Sequence, residues 1–248
     1  MKAPVLIISM MLLVSSSVAN GVEHTLFDAV LDRYVNEAGW VDYNGLANDR
    51  DEFDQYLELL RSNHPNESWS REEQLAYWIN AYNAFTLELI LKNYPVESIK
   101  DIGAWIQIPF VNTPWDIKFI GIGDKKYDLN NIEHDILRKE FDEPRIHFAI
   151  VCASYSCPRL SREAYKAEKI DRQLDEAARH FLNDSRKNKI TAENPMVSKI
   201  FSWFGGDFKK ETTLIQFLNG YTNTQINSDA DVDFLDYDWS LNDQKALN

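Results

Sequence analysis

One stretch constrains this chain more than any other: SREEQLAYWINAYNAFTLELILKNYP, residues 70–95. Ser70 followed three residues later by Glu73 is the pattern of a capping box, in which each side chain bonds the other's backbone N–H and starts a helix. Leu75, Trp78, Tyr82, Phe85 and Leu89 then recur at steps of three and four, the helical period. Ile79, Leu87 and Ile90 add apolar residues outside that stripe. A helix apolar on so many sides belongs at the centre of a core, and Pro95 closes it. Asn80 and Asn83 interrupt its apolar surface, where asparagine costs about 0.5 kcal/mol or more relative to alanine. Three apart, they share one side and either tie down loop backbone or orient a catalytic imidazole.

The remaining elements have to wrap this helix. Apolar spacing predicts helices over 24–37 and near 49–62. DIKFIGIGDKKYDL, residues 116–129, alternates about Gly123-Asp124 as a hairpin does. A short helix is expected in NNIEHDILRKE (130–140), a strand in RIHFAIVC (145–152), helices over 161–182 and a strand near 189–199. An irregular aromatic segment at 201–210, a helix over 211–222 and an extended piece ending FLDYDWSLN complete the chain. There is no repeat and no linker rich in Pro, Gly or Ser. Helices first and mixed elements later predict one α+β domain, its helices packed on a small, mostly antiparallel sheet.

The N-terminus points to export. Lys2 precedes an apolar run from Val5 to Val14, then Ser15–Ser17 and Val18-Ala19. This is the layout of a secretory signal peptide, expected over 1–19, with the folded domain over 20–248. The run is shorter than the roughly 20 apolar residues that span a bilayer, so no membrane insertion is expected after cleavage and the mature chain is secreted or periplasmic. A formal charge of −13 repels nucleic acid and anionic membrane faces, which excludes both as main partners. In an oxidising compartment the two cysteines have to be considered first as a disulfide.

Both cysteines lie in RIHFAIVCASYSCPRL, residues 145–160. On a strand, Ile146, Phe148, Ile150 and Cys152 share one face and His147, Ala149, Val151 and Ala153 the other. Cys152 then stands at the strand end, a favoured place for a reactive group. His147 points off the opposite face, about 16 Å along the strand, far beyond the roughly 3 Å a general base needs. His134 is the better base: Ile132, Ile136 and Leu137 mark an apolar face that His134 and Glu133 flank, a border from which a side chain reaches a cleft. Glu133 also fits a helix cap with Asn130. Cys157 lies five residues after Cys152, and the two bridge if the loop turns back far enough to bring their Cα atoms within about 4.4–6.8 Å. There is no second close metal-ligand pair, no phosphate loop and no G-x-S-x-G elbow, so no metal and no cofactor is expected.

The blocks EQLAYWINAYNAFTLELIL (73–91), PW (114–115), IEHDILR (132–138), RIHFAIVCASYSCPRL and YDWSLN (237–242) occur in the order of the domain of unknown function 547 family, which the chain resembles. The resemblance implies a papain- or transglutaminase-like architecture with a Glu-His-Cys set, here Glu133, His134 and Cys152, and Asn80 or Asp238 as alternatives for the third member. The function expected on these grounds is a cysteine hydrolase or acyltransferase acting on an amide or thioester in a peptide-like or small-molecule substrate, with amides of Ala153–Cys157 contributing an oxyanion hole. Its rival is a non-catalytic binding domain with a Cys152–Cys157 structural disulfide and a groove lined by Trp105, Trp115 and Trp203.

Overall fold

The computed structural model describes residues 21–103 and 113–247. The signal peptide expected over 1–19 and Trp105 lie outside them. At the centre is α4, Arg71–Asn93, following α1 (Thr25–Tyr34), α2 (Tyr43–Asn48) and α3 (Asp51–Ser62). Its start is the expected capping box: the Ser70 side chain accepts from the Glu73 amide, and the Glu73 carboxylate accepts from Ser70 N–H at 2.7 Å. Every residue from Leu75 to Leu91 is buried. Glu88 is tolerated there because Arg61 reaches it at 3.0 Å and Lys92 at 2.7 Å, as a buried carboxylate requires.

Asn80 and Asn83 of α4 both clamp backbone. Asn80 donates to Tyr165 O at 2.7 Å and accepts from Tyr165 N–H at 2.9 Å. Asn83 donates to Ala149 O and accepts from Val151 N–H, each at 2.9 Å. Each amide thus replaces a missing strand or helix partner for a buried segment.

The segment expected to be a strand over 145–152 is not one. Pro144–Phe148 form a turn of 3-10 helix, after which residues 149–152 run irregularly. Pro144 sets its own φ and carries no N–H, while Glu143 accepts from the Arg145 amide and starts the turn. Asn83, not a neighbouring strand, then satisfies the backbone. The face assignment of His147 against Cys152 falls with the strand.

The hairpin is as expected: β1 (Ile120–Ile122) pairs antiparallel with β2 (Lys125–Tyr127), Ile120 opposite Tyr127. Gly123 turns it at φ 54°, with His64 only 2.7 Å from where a Cβ would stand. Instead of a continuous strand near 189–199, Met196–Val197 pairs parallel with Asp233–Phe234, and Lys189 bridges antiparallel to Met196. The long helix within 161–182 begins at Ile170 and ends at Asn183. The chain is thus a single α+β domain with minimal sheet.

Two returns of the chain shape the site. A satellite core around Phe148, Phe181, Phe201 and Phe208 brings the 200–208 segment against the 3-10 turn. The C-terminal segment runs back beside 153–156: Asn242 N–H donates to Ala153 O, Tyr155 N–H to Ser240 O and Ser156 N–H to Asp238 O. Among the described residues, no helix is long and apolar enough to cross a membrane.

Candidate active site

Residues 131–137, the NIEHDIL block, wind as a π-helix starting after Asp128, whose carboxylate accepts from the Asn131 amide at 2.6 Å. Asn130, the expected cap, makes no side-chain cap bond. Such wide turns are frequent at functional sites. Here Glu133 and His134, neighbours in sequence, line one pocket of ≈ 190 Å³ together with His147, Cys152, Cys157 and a largely aromatic wall.

The sulfurs form its floor on one side. Cys152 and Cys157 are disulfide-bonded, their Cα atoms 6.3 Å apart. The Tyr237 hydroxyl lies 3.3 Å from Cys152 Sγ and donates to Cys157 Sγ at 3.2 Å. Ser154 Oγ stands 3.2 Å from Cys152 Sγ and donates to the Tyr237 oxygen at 3.1 Å. Cys152 is partly exposed and Cys157 buried, and both line the pocket. Directly after Cys152, Ala153 sits at φ 60°, a left-handed conformation that costs a non-glycine residue about 1–2 kcal/mol. It turns the chain sharply behind the sulfur. The amides of Tyr155, Ser156 and Cys157 are occupied by backbone acceptors. Of the proposed oxyanion donors, only Ala153 and Ser154 N–H have no acceptor among the described residues.

His147 is held by Asp207: Nε2 donates to Oδ2 at 2.7 Å. Phe204 stacks on the imidazole with 4.0 Å between ring centres. Burial lowers the pKa of His147, and Asp207 pulls it back upward. Burial alone would raise the Asp207 carboxyl, but bonds from His147 and Arg138 overturn this and hold it far below the usual carboxylate range. Arg138 grips Asp207 with two bonds, 2.6 and 2.9 Å, the fork geometry that suits guanidinium and carboxylate.

His134 is placed differently. Arg138 approaches its Nδ1 at 3.2 Å, and a guanidinium only donates, so this nitrogen accepts and the neutral ring carries its proton on Nε2. Burial, then the neighbouring Arg138, lowers its pKa. Glu133 bonds neither imidazole. Its Oε2 accepts from the Tyr82 hydroxyl at 3.1 Å, and burial pushes its pKa up to about 7.

Of the residues singled out from sequence, Cys152, Cys157, Glu133, His134 and His147 meet in this pocket, with Trp115 and Trp203 on its wall. Asn80 is committed to Tyr165. Asp238 is exposed and closes a turn by accepting from the Ser240 amide and hydroxyl. Sequence reasoning missed Asp207, Arg138, Tyr82 and Tyr237. Asp207 carried one signal, an acid standing alone inside FSWFGGDF, a segment otherwise apolar enough to bury it.

Residues 66–182 match the model of a family described as protein of unknown function, DUF547. The match takes in α4, the π-helix and both cysteines, whereas Asp207, Tyr237 and Trp239 come from the part of the chain that follows it. No curated protein and no solved structure matches the chain.

Proposed function

With residues 66–182 carrying the DUF547 segment, we propose that the chain is an exported thiol hydrolase or acyltransferase whose nucleophile is Cys152. One observation carries this reading: Cys152 and an imidazole already oriented by a carboxylate, His147 with Asp207, line the same pocket. A base held by a third group is the recurrent arrangement of nucleophilic catalysis. With Nε2 donating to Asp207, the basic nitrogen of His147 is Nδ1. Asp207 favours the imidazolium that forms when Nδ1 takes the thiol proton, whereas Arg138 opposes a second positive charge on His134. The role of base thus moves from His134 to His147, and His134 remains as a donor through Nε2.

The bridge has to open first. A dithiol reduces it by two electrons, leaving as its own disulfide and yielding the Cys152 and Cys157 thiols. The Cys152 thiolate, with hydroxyls of Tyr237 and Ser154 beside it, then attacks the carbonyl carbon of an amide or thioester. The leaving amine or thiol takes the proton from His147, and water or a second amine releases the acyl group from sulfur. Ala153 and Ser154 N–H are the donors left to face the oxyanion. Glu133, whose pKa burial raises to about 7, contacts the substrate and is not part of the proton relay.

A second reading rests on the bridge itself: a binding pocket braced by a permanent disulfide. The two separate by alkylating native and reduced protein and assaying both. The hydrolase reading expects an acyl-sulfur adduct on Cys152, detected by intact mass with a thioester or activated amide, in reduced protein only. Absence of any adduct on fully reduced, folded protein favours the binding domain.

A further inference from the structure

We propose that the group recognised deep in this pocket is a substituted ammonium, held by aromatic faces around the Glu133 carboxylate. This deepens the reading above and takes from it only that substrate enters here. Three observations converge. First, Tyr82, Trp115, Trp203, Phe204, Tyr237 and Trp239 line the pocket. Trp239 packs on Tyr237 at 4.6 Å, Trp203 at 5.7 Å and Trp115 at 5.7 Å between ring centres. Lys100 already stands over Trp239 and Arg138 over Phe204, each at 5.1 Å, which leaves Tyr82, Trp115, Trp203 and Tyr237 for a ligand. Trp203 remains 45% exposed at the mouth. Ring faces carry negative potential and attract organic cations, most of all quaternary ammonium groups.

Second, Glu133 is 7% exposed and its carboxylate has one donor, Tyr82 on Oε2. Oε1 has no hydrogen-bond donor among the described residues, and Glu133 lines the cavity. A buried carboxylate in this position calls for a positive or donating ligand group. Third, the cation nearest to hand is already consumed: Arg138 is paired through two bonds with Asp207. Arg138 and Asp207 act on Glu133 in opposite directions, Arg138 the more strongly. Burial lowers the pKa of both histidines, and Glu133, once ionised, is the carboxylate in the pocket without an ion-pair partner of its own. The −13 of the whole chain adds a field that draws cations in.

Binding should therefore follow Glu133 ionisation. The groups that act on it or feel it are Tyr82 from α4, Arg138 just after its own helical segment, Asp207 from the 205–208 turn and Tyr237 from the C-terminal return. Burial raises the Glu133 pKa more than Arg138 and Tyr82 lower it, so affinity for a cation rises as pH climbs through 7.

The test compares choline with its neutral isostere 3,3-dimethylbutan-1-ol, titrated into the oxidised protein and read by tryptophan fluorescence and calorimetry. Choline should bind roughly tenfold more tightly or better, more so at pH 8.5 than at pH 6, and Glu133→Gln should remove most of the preference and its pH dependence. Binding of the neutral isostere within about twofold of choline, or no saturable choline binding at either pH, overturns the proposal. The wild-type comparison stands even if the variant fails to fold. Because the oxidised protein is used, the outcome is independent of whether Cys152 reacts.

Discussion

Nε2 of His147 lies 2.7 Å from Oδ2 of Asp207, sixty residues further along the chain. Phe204 against the ring and Arg138 against the carboxylate leave the pair little freedom. Asp207→Asn keeps the shape but removes the charge that supports an imidazolium. Reduced protein carrying it should form the acyl-sulfur adduct about 100-fold more slowly, with the unfolding midpoint changed far less than by a core truncation. An undiminished rate would place Asp207 outside the chemistry.

Asn80 and Asn83 of α4 make a matched control. Replacing either with alanine strands a buried carbonyl and a buried amide, at about 2–4 kcal/mol. Asn83 holds Ala149 and Val151, directly before Cys152, whereas Asn80 holds Tyr165. Both variants should lose similar stability in denaturant melts. Only Asn83→Ala should also slow alkylation of reduced Cys152. Equal effects on the thiol would show that the clamp does not position it.

Glu133 gives a pH signature. Its pKa of about 7 in the fold exceeds the ordinary value of 4.5, so the folded state holds a proton that the unfolded state releases. The stability this confers is complete below pH 4.5 and is lost as pH rises through 7. His24 and His147 act the other way: His24, bonded to Tyr56 at 2.7 Å, is lowered to about 4 by burial, so its contribution is present above 6.5 and lost as pH falls. Lys187, whose pKa burial lowers to about 8, and His134 and His180, also lowered by burial, act in the same interval with the opposite sign, so the Glu133 effect is read as the difference between wild type and Glu133→Gln. Relative to Glu133→Gln, wild-type stability should fall by about 1 kcal/mol between pH 6.5 and 8. The same pH dependence in both proteins would assign the effect elsewhere.

Ala153 tests the turn behind the sulfur. At φ 60° glycine is at ease and alanine is not, so Ala153→Gly should be neutral or stabilising by up to about 1 kcal/mol. Ala153→Val should destabilise by more than 1 kcal/mol. The chevron or melt that finds glycine much worse than alanine refutes the strain.

The parts of this fold legible in sequence are those set by local physics. The Ser70–Glu73 cap, the all-round apolar α4 and the Gly123 turn each follow from a few neighbouring residues. Pocket membership of Cys152, His134 and Glu133 was legible too. The 145–152 segment was not, because alternation alone cannot register that Asn83, over sixty positions earlier, replaces a strand neighbour, or that Pro144 starts a 3-10 turn. That one error carried His147 away from the site on paper. Asp207 and Tyr237 reach the pocket through the satellite core and the C-terminal return, long-range packing that no local spacing encodes.

The most direct measurement is the alkylation rate of each sulfur by iodoacetamide at pH 7 after gentle reduction, resolved by peptide mapping. Cys152 should react at least about tenfold faster than Cys157, and His147→Gln should remove most of this advantage while His134→Gln removes much less. Equal rates at the two sulfurs, or an advantage for Cys152 untouched by loss of His147, would contradict the assignment of Cys152 as nucleophile and His147 as its base.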